Sequence, residues 1–475
     1  MTWKRPHVSP APTGDRYSVS RFQERQVLFE RQERCAGRHR LDNLYLAYRI
    51  TGPLELTALR RAVEFLVRRH EPLRTCFPPD EVRPPVARVR PAGDALDVLP
   101  PLDTADVADT ADTADTADTA DVEEAALSAL RGCVETPFDI QSGPLFRAFV
   151  LRLRRAEHLL VLCLDHVVSD GIASLRLLHD ELARCYAAYA GGAEPDLPPL
   201  PFRYSDFAVA HRSWLTPALR DEILDHWRPR LPPDVAEPEL RLPPLAPGSE
   251  RSLGRGAVAR LALGPDLARA LPEIRGRHRA TSFMVFSTAL LAAQRAWSGE
   301  ERVGALFPVD LRAGYGAQAL IGRFSNLSVL WLPVSRDRAL GDLLLEVRSR
   351  THQAMRFSDM PFGEIVRELY PSWYGSIDTP PYVFFQVRGA APAPWRAGAV
   401  VARPVRLPAT EGSQLHPGVK VQVHTDTAEL TCQYGATAYA PEVVDGLLGL
   451  MADAVRLLHE RPEASMADLA ARLRS

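Results

Sequence analysis

The sequence predicts a mixed fold of α-helices and β-sheet divided into two parts. Three observations lead there. The chain of 475 residues is long enough to bury one large core or two. Apolar runs of strand length alternate with stretches of helical periodicity. Pro-rich stretches at 191–201 and 231–247 punctuate that alternation and read as linkers. Together they place domain boundaries at 1–200 and 201–475.

In chain order, Ser18 to Arg34 is amphipathic, carries Phe22, Val27, Leu28 and Phe29, and has Ser20 as a candidate cap. Leu44 to Ile50 reads as a strand, and Leu54 opens a helix that runs through Leu66 and Val67. Residues 103–122 repeat Asp-Thr-Ala, offer nothing to bury, and are expected to form a disordered or weakly ordered surface insertion. Helix resumes over Glu123 to Cys133. Phe149 to Leu153 and Leu159 to Leu164 are then expected to pair as antiparallel strands. In the second half, Thr281 to Trp297 is a buried helix and Val303 to Pro308 a strand. Further strands fall at 382–387, 419–423 and 430–434, and a last helix runs from Glu442 to His459.

The stretch Leu159 to Gly171 is the most informative. A continuous Leu- and Val-rich run is the pattern of a strand buried on both faces. It ends at Asp165-His166, turns at Ser169-Asp170-Gly171, and continues as a helix from Ile172. His166 is thereby placed at the carboxyl end of a buried strand. Its side chain titrates near neutrality and can take and return a proton. Asp170 is positioned to fix the loop by pairing with an Arg or to orient the imidazole. Gly171 is expected to supply a backbone conformation that a Cβ would oppose.

Composition narrows the alternatives. A hydrophobic fraction of 46% and a charged fraction of 24% are those of a soluble globular protein. A net charge of -2 gives no electrostatic case for nucleic acid or an anionic membrane as partner. The six cysteines are scattered without a CxxC pair, which fits a reduced, cytoplasmic protein with buried thiols. The N-terminus leads into no apolar segment of the signal-peptide kind, and no apolar run is long enough to span a bilayer. HExxH metal spacing, a Gly-rich phosphate loop and Gly-x-Ser-x-Gly are all missing. No metal site is therefore expected.

The segment Asp165-His166-x-x-x-Asp170-Gly171 resembles the His-His-x-x-x-Asp-Gly signature of nonribosomal peptide synthetase condensation domains and related acyltransferases, with Asp165 in place of the first His. Three further segments resemble the same family in the same order: Arg69-His70-Glu71-x-Leu73-Arg74-Thr75-x-Phe77, Gly143-Pro144-Leu145-x-Arg147-Ala148 and Ile321-Gly322-x-Phe324-x-Asn326. The resemblance runs from about Ser18 to His459. It implies an α+β fold (α/β sandwich), with two chloramphenicol acetyltransferase-like lobes in a V and a central tunnel holding His166.

The activity so implied is that of a freestanding condensation enzyme. It would join an acyl or aminoacyl thioester on an acyl or peptidyl carrier protein to an amine or hydroxyl, giving an amide or ester. The nucleophile would be a small molecule or carrier-bound. The chain would bind no cofactor of its own, because the 4'-phosphopantetheine arm belongs to the carrier. Two alternatives stand beside this: an acyltransferase of the same fold that uses a diffusible alcohol or acyl-CoA, and a silent domain that recruits carrier proteins or tailoring enzymes.

By this resemblance His166 is the base, Asp170 pairs with Arg312, and the Gly171 N–H faces an oxyanion. Asp165 is a support that points away from the tunnel. Asn326 and Gln386 line the acceptor side or else satisfy buried strand ends. Ser169 binds substrate or is only a turn residue. His70 and Arg74 anchor the first helix to the sheet.

Overall fold

The structure is a computed structural model that describes residues 5–10, 14–35, 43–79, 83–93, 104–106, 119–231, 254–371, 383–405, 407, 414–415 and 419–472. It mixes helices and sheets in two compact units. The first comprises Met1–Leu215, Asp310–Ser325 and Ala391–Ala409; the second comprises Thr216–Val309, Asn326–Ala390 and Thr410–Ser475.

The first unit is built on a six-stranded sheet in the order 395–397, 400–405, 43–51, 157–165, 146–154, 104–106. The Glu157–Asp165 strand lies between Asn43–Thr51 and Phe146–Arg154, antiparallel to both. Register sets Leu162 between Leu46 and Ala148, and Leu160 between Tyr48 and Val150. This face packs on Leu59, Val63 and Leu66 of the Leu56–Arg69 helix and on Leu178, Leu182 and Tyr186 of the Gly171–Ala190 helix. Leu159, Val161 and Cys163 point to the opposite face and are also buried. Burial on both faces explains why this strand reads as an unbroken apolar run. A small antiparallel sheet of Arg16–Ser18, Val86–Val89 and Thr75–Cys76 completes the sheet structure among the described residues of this unit.

The expected single cut at 200/201 differs from this division, because the chain visits the first unit three times. The 191–201 stretch is not a boundary. It lies against the unit through Arg69 and Arg184, which donate to the Pro198 and Asp196 carbonyls (2.7 Å each). The Tyr204–Trp214 helix that follows also belongs here: Phe207 packs on Phe22, Phe324 and Tyr315. Residues 395–405 return to extend the sheet, where Trp395 meets Tyr48 and Tyr186.

The second unit has a seven-stranded sheet in the order 325–333, 302–310, 383–388, 419–424, 429–435, 254–262, 414–415. Val383–Arg388 runs parallel to both of its neighbours. The Ser282–Ser298 helix is capped by the Thr281 hydroxyl and stopped by Gly299 at φ 74. Its residues Met284 to Gln294 are all buried, in keeping with an apolar helix that sits inside a core.

Several expectations need correction. Residues 104–106 form a strand parallel to the 146–154 strand, and the following helix already begins at Thr119, so both ends of the expected disordered insertion are ordered. Residues 107–118 and most of the expected linker at 231–247 lie outside the described residues. Of the cysteines, Cys35 is exposed and Cys133 half-buried, while the other four are buried. His70 and Arg74 do not tie the Leu56–Arg69 helix to the large sheet. His70 pairs with Glu181 on the neighbouring helix at 2.7 Å, and Arg74 donates to the Arg90 carbonyl beside the small sheet.

Histidine burial gives the second unit an acid sensitivity. The His226 ring stacks on Phe357 with centroids 3.6 Å apart. Burial first, and then Arg230, Arg350 and Arg356, push its pKa down to about 4. A neutral native imidazole that gains a proton more readily when unfolded stabilises the fold above the ordinary His range near 6.5, and that contribution is lost as pH falls from there towards 4. The thermal midpoint should therefore drop as pH falls from 7 to 4.5. His226→Phe, which keeps the stacking and removes the titrating group, should flatten part of that slope in a fluorescence melt. A slope identical to wild type would rule out this residue as a contributor.

Candidate active site

The site is assembled at the end of the Glu157–Asp165 strand. The strand stops at Asp165 because its carboxylate turns back and accepts the Val167 N–H at 2.8 Å. Side chains of this type bind the backbone two residues on and so stabilise turns. Asp165 is 4% exposed, and its N–H donates to the Leu145 carbonyl at 3.1 Å. It therefore shapes the turn that presents His166.

His166 is half-buried. Its Nδ1 lies 2.8 Å from the Ser169 carbonyl and 2.9 Å from Arg323 Nη1. A ring nitrogen either donates to the first or accepts from the second. Arg323 Nη1 also donates to the His166 carbonyl at 3.0 Å. With the proton on Nδ1, the Ser169 carbonyl, the His166 carbonyl and the guanidinium are all paired. That arrangement puts the hydrogen on Nδ1 and makes Nε2 the nitrogen that carries the lone pair.

Asp170 caps the Gly171–Ala190 helix by accepting from the Ser174 N–H (3.2 Å) and hydroxyl (2.8 Å). Its carboxylate is 5% exposed and pairs with Arg312 through both oxygens: Nη1 meets Oδ2, and Nη2 reaches Oδ1 at 2.8 Å. Arg312 is bound in turn to the Leu320 and Gly322 carbonyls at 3.1 and 3.0 Å. The Phe324 N–H donates to Asp170 Oδ2 at 3.2 Å, and the Asp170 N–H donates to the Gly322 carbonyl at 3.2 Å. Strand end, helix start and the 310–325 segment are thus tied by one carboxylate and one guanidinium.

Gly322 is where close backbone approach matters. A Cβ there would overlap the Tyr204 ring and lie 2.9 Å from Phe324 Cε2. Gly171 is not such a position. A Cβ on it would meet only Leu44 Cδ2 at 3.9 Å, an ordinary contact, so the expected backbone constraint at Gly171 does not hold.

The remaining candidates sit in structural roles. Ser169 is fully buried, and its hydroxyl donates to the Asp170 carbonyl at 3.2 Å. What it offers the site is its backbone carbonyl. Asn326 Nδ2 donates to the Ser358 and Met360 carbonyls (2.6 and 2.7 Å), and Oδ1 accepts from the Leu327 and Phe362 N–H groups (2.8 and 3.1 Å). An amide side chain has two donors and two lone pairs, so Asn326 has nothing left for a substrate. Gln386 Oε1 accepts from Gln422 on the neighbouring strand at 3.2 Å.

Five contributors were not assigned a role from sequence. Arg323 and Gly322 lie in the Ile321 to Asn326 segment. Ser174 sits one turn after the cap, and Gln23 Nε2 donates to the Val167 carbonyl at 3.0 Å across 144 residues of chain. Tyr204 accepts from Ser20 and donates to the Arg323 carbonyl, both at 2.9 Å. Burial pushes its phenol pKa up, so it acts as a neutral bridge. Among the described residues no cluster of three His, Cys, Asp or Glu side chains could hold a metal, and no helix is long and apolar enough to cross a membrane.

Breaking a buried ion pair from one side leaves the other charge uncompensated, at a cost of roughly 3–5 kcal/mol. Arg312→Ala should therefore lower stability by about that amount, measured by urea unfolding. A loss under about 1 kcal/mol, the range of exposed pairs, would show that Asp170 does not depend on Arg312.

Comparison with known proteins finds that the Condensation domain family model matches residues 13–377. Phosphinothricin tripeptide synthetase PhsC of Streptomyces viridochromogenes is 36% identical over 332 residues, covering 69% of this chain and 28% of that protein. The chain thus spans little more than a quarter of that relative's length. Among solved structures, the X-domain in its complex with OxyB from teicoplanin biosynthesis superposes with a TM-score of 0.77 at 20% identity, covering 99% of both chains. The first condensation domain of the calcium-dependent antibiotic synthetase, in complex with a substrate analogue, gives 0.73 at 19% identity, covering 96% of this chain and 99% of the other. At these identities the structural likeness speaks for the fold.

Proposed function

This chain belongs to the Condensation domain family, and from that premise we propose that it forms an amide bond between a carrier-bound acyl or aminoacyl thioester and an amine, with His166 handling the proton. The observation that carries this reading is the contact of His166 Nδ1 with the Ser169 carbonyl. It favours the tautomer in which Nε2 is the basic nitrogen. The name of the tripeptide synthetase relative supports a peptide-forming reaction.

The chemistry is direct. The amine nitrogen attacks the thioester carbon, a C–N bond forms, and the carbonyl electron pair moves onto oxygen. Collapse of the tetrahedral intermediate breaks the C–S bond. The proton lost by the amine passes to His166 Nε2 and from there to the departing thiolate sulfur. An oxygen nucleophile would follow the same steps to an ester, and acyl-CoA presents the same thioester as a carrier arm. The Gly171 N–H, at the start of a helix, is available by position to stabilise the oxyanion. The phosphopantetheine arm arrives with the carrier protein as part of the substrate.

General base catalysis contributes on the order of 10²–10⁴-fold. His166→Ala should lower product formation by that factor with the fold retained, read by mass spectrometry of loaded carrier proteins incubated with candidate amines and alcohols. Turnover equal to wild type would sink the base role. A wild-type protein that turns over no loaded carrier yet binds one would instead support a silent recruiting domain.

A further inference from the structure

We propose that Arg323 and Gln23 are positioning residues for His166, holding the turn after the strand so that Nδ1 keeps its proton and Nε2 stays the basic nitrogen. The inference rests on the reading of His166 as the proton acceptor and adds two residues to it.

Within the turn from Asp165 to Asp170, the Asp165 and His166 carbonyls accept the Val168 and Ser169 N–H groups at 3.3 and 3.4 Å, and three carbonyls meet a side-chain donor. The His166 carbonyl takes Arg323 Nη1 at 3.0 Å, the Val167 carbonyl takes Gln23 Nε2 at 3.0 Å, and the Ser169 carbonyl faces His166 Nδ1 at 2.8 Å. Buried carbonyls without donors are costly, so this set of partners fixes the turn. Both outside donors are themselves anchored. Arg323 Nε donates to the Phe22 carbonyl at 3.1 Å, and the Arg323 carbonyl accepts from Tyr204. Gln23 is 1% exposed, and its Oε1 accepts the Ser20 N–H at 3.2 Å while the Ser20 hydroxyl accepts the Gln23 N–H at 3.2 Å. This reciprocal cap starts the Arg21–Cys35 helix and aims the Gln23 amide at the turn.

Arg323 has a second effect, at the ring. Its Nη1 lies 2.9 Å from Nδ1 and could donate there only if Nδ1 gave up its proton. The Ser169 carbonyl would then face a lone pair at 2.8 Å, and Nε2 would carry the hydrogen. The carbonyl of His166 gives the guanidinium another acceptor and keeps it from claiming Nδ1. The guanidinium's contribution to the basic nitrogen therefore runs through the backbone: bound to the His166 carbonyl, it holds the turn that keeps the Ser169 carbonyl 2.8 Å from Nδ1, and its removal frees that carbonyl to leave the ring.

The test compares Arg323→Ala, Arg323→Lys and Gln23→Ala with wild type, by steady-state kinetics with a loaded carrier protein and by nitrogen-15 NMR of imidazole-labelled protein. Small misplacements of a reacting group cost up to about 100-fold. In Arg323→Ala, kcat should fall about 10- to 100-fold with KM within about threefold, and the His166 nitrogens should report mixed tautomers in place of Nδ1–H alone. Arg323→Lys, whose single ammonium cannot fork between the Phe22 and His166 carbonyls, should recover only part of kcat. Gln23→Ala should shift the same two readouts less, and it serves as the second variant if Arg323→Ala does not fold. Wild-type kcat with an unchanged imidazole spectrum in both alanine variants would overturn the proposal. So would a loss of activity that follows the loss of thermal stability with the tautomer unchanged. If His166→Ala proves fully active, the base role fails, while the spectra still decide whether these residues order the ring.

Discussion

The contact on which the rest of the site depends is the buried pair of Asp170 and Arg312. One carboxylate caps the Gly171–Ala190 helix, accepts the Phe324 N–H and neutralises a guanidinium. One guanidinium gathers the Leu320 and Gly322 carbonyls and the Ser174 hydroxyl. Neither charge would be tolerated here alone, because desolvation of an unpaired ion exceeds what packing returns. With both present and their remaining hydrogen-bonding positions filled, the turn between strand and helix has one geometry. The imidazole of His166 inherits that geometry through the Ser169 carbonyl, one residue before Asp170.

Around this pair, polar groups that would be expensive to bury are matched one to one. Asp165 answers the Val167 N–H, Gln23 the Val167 carbonyl, and Tyr204 the Arg323 carbonyl. Aromatic rings close over them: Phe207 and Phe324 have centroids 4.6 Å apart, and Tyr204 meets Phe324 edge-on at 5.2 Å. Apolar covering strengthens the hydrogen bonds beneath it and makes any missing partner costly. Rigidity at the half-buried imidazole comes from this dense surrounding layer.

What could be read from sequence follows from how local each signal is. The Leu159 to Leu164 run announces a strand buried on both faces, and the Asp170-Gly171 pair announces a helix start; both are settled by neighbours within a few residues. The ends of the regular elements came within a few residues for the same reason. The contributions of Arg323 and Gln23 depend on segments 157 and 144 residues away in the chain, and no periodicity or capping rule reports such distances. Asn326 stays open between two roles in the sequence because an amide looks the same whether it faces a ligand or saturates two carbonyls of its own chain. The composition of 191–201 suggests a linker, yet its backbone carbonyls are claimed by Arg69 and Arg184, which one-dimensional reading cannot reveal.

The path of the chain has a consequence for biosynthesis. Asp170 leaves the ribosome well before Arg312, and the 395–405 strands that extend the first sheet come later still. At roughly 5–20 residues per second, the carboxylate waits on the order of ten seconds for its counter-charge. During that interval the nascent first unit holds a half-made charge pair and an unfinished sheet margin. The order of translation therefore opposes the usual habit of completing the amino-terminal unit first, and it favours late, concerted closure once residues near 405 have emerged.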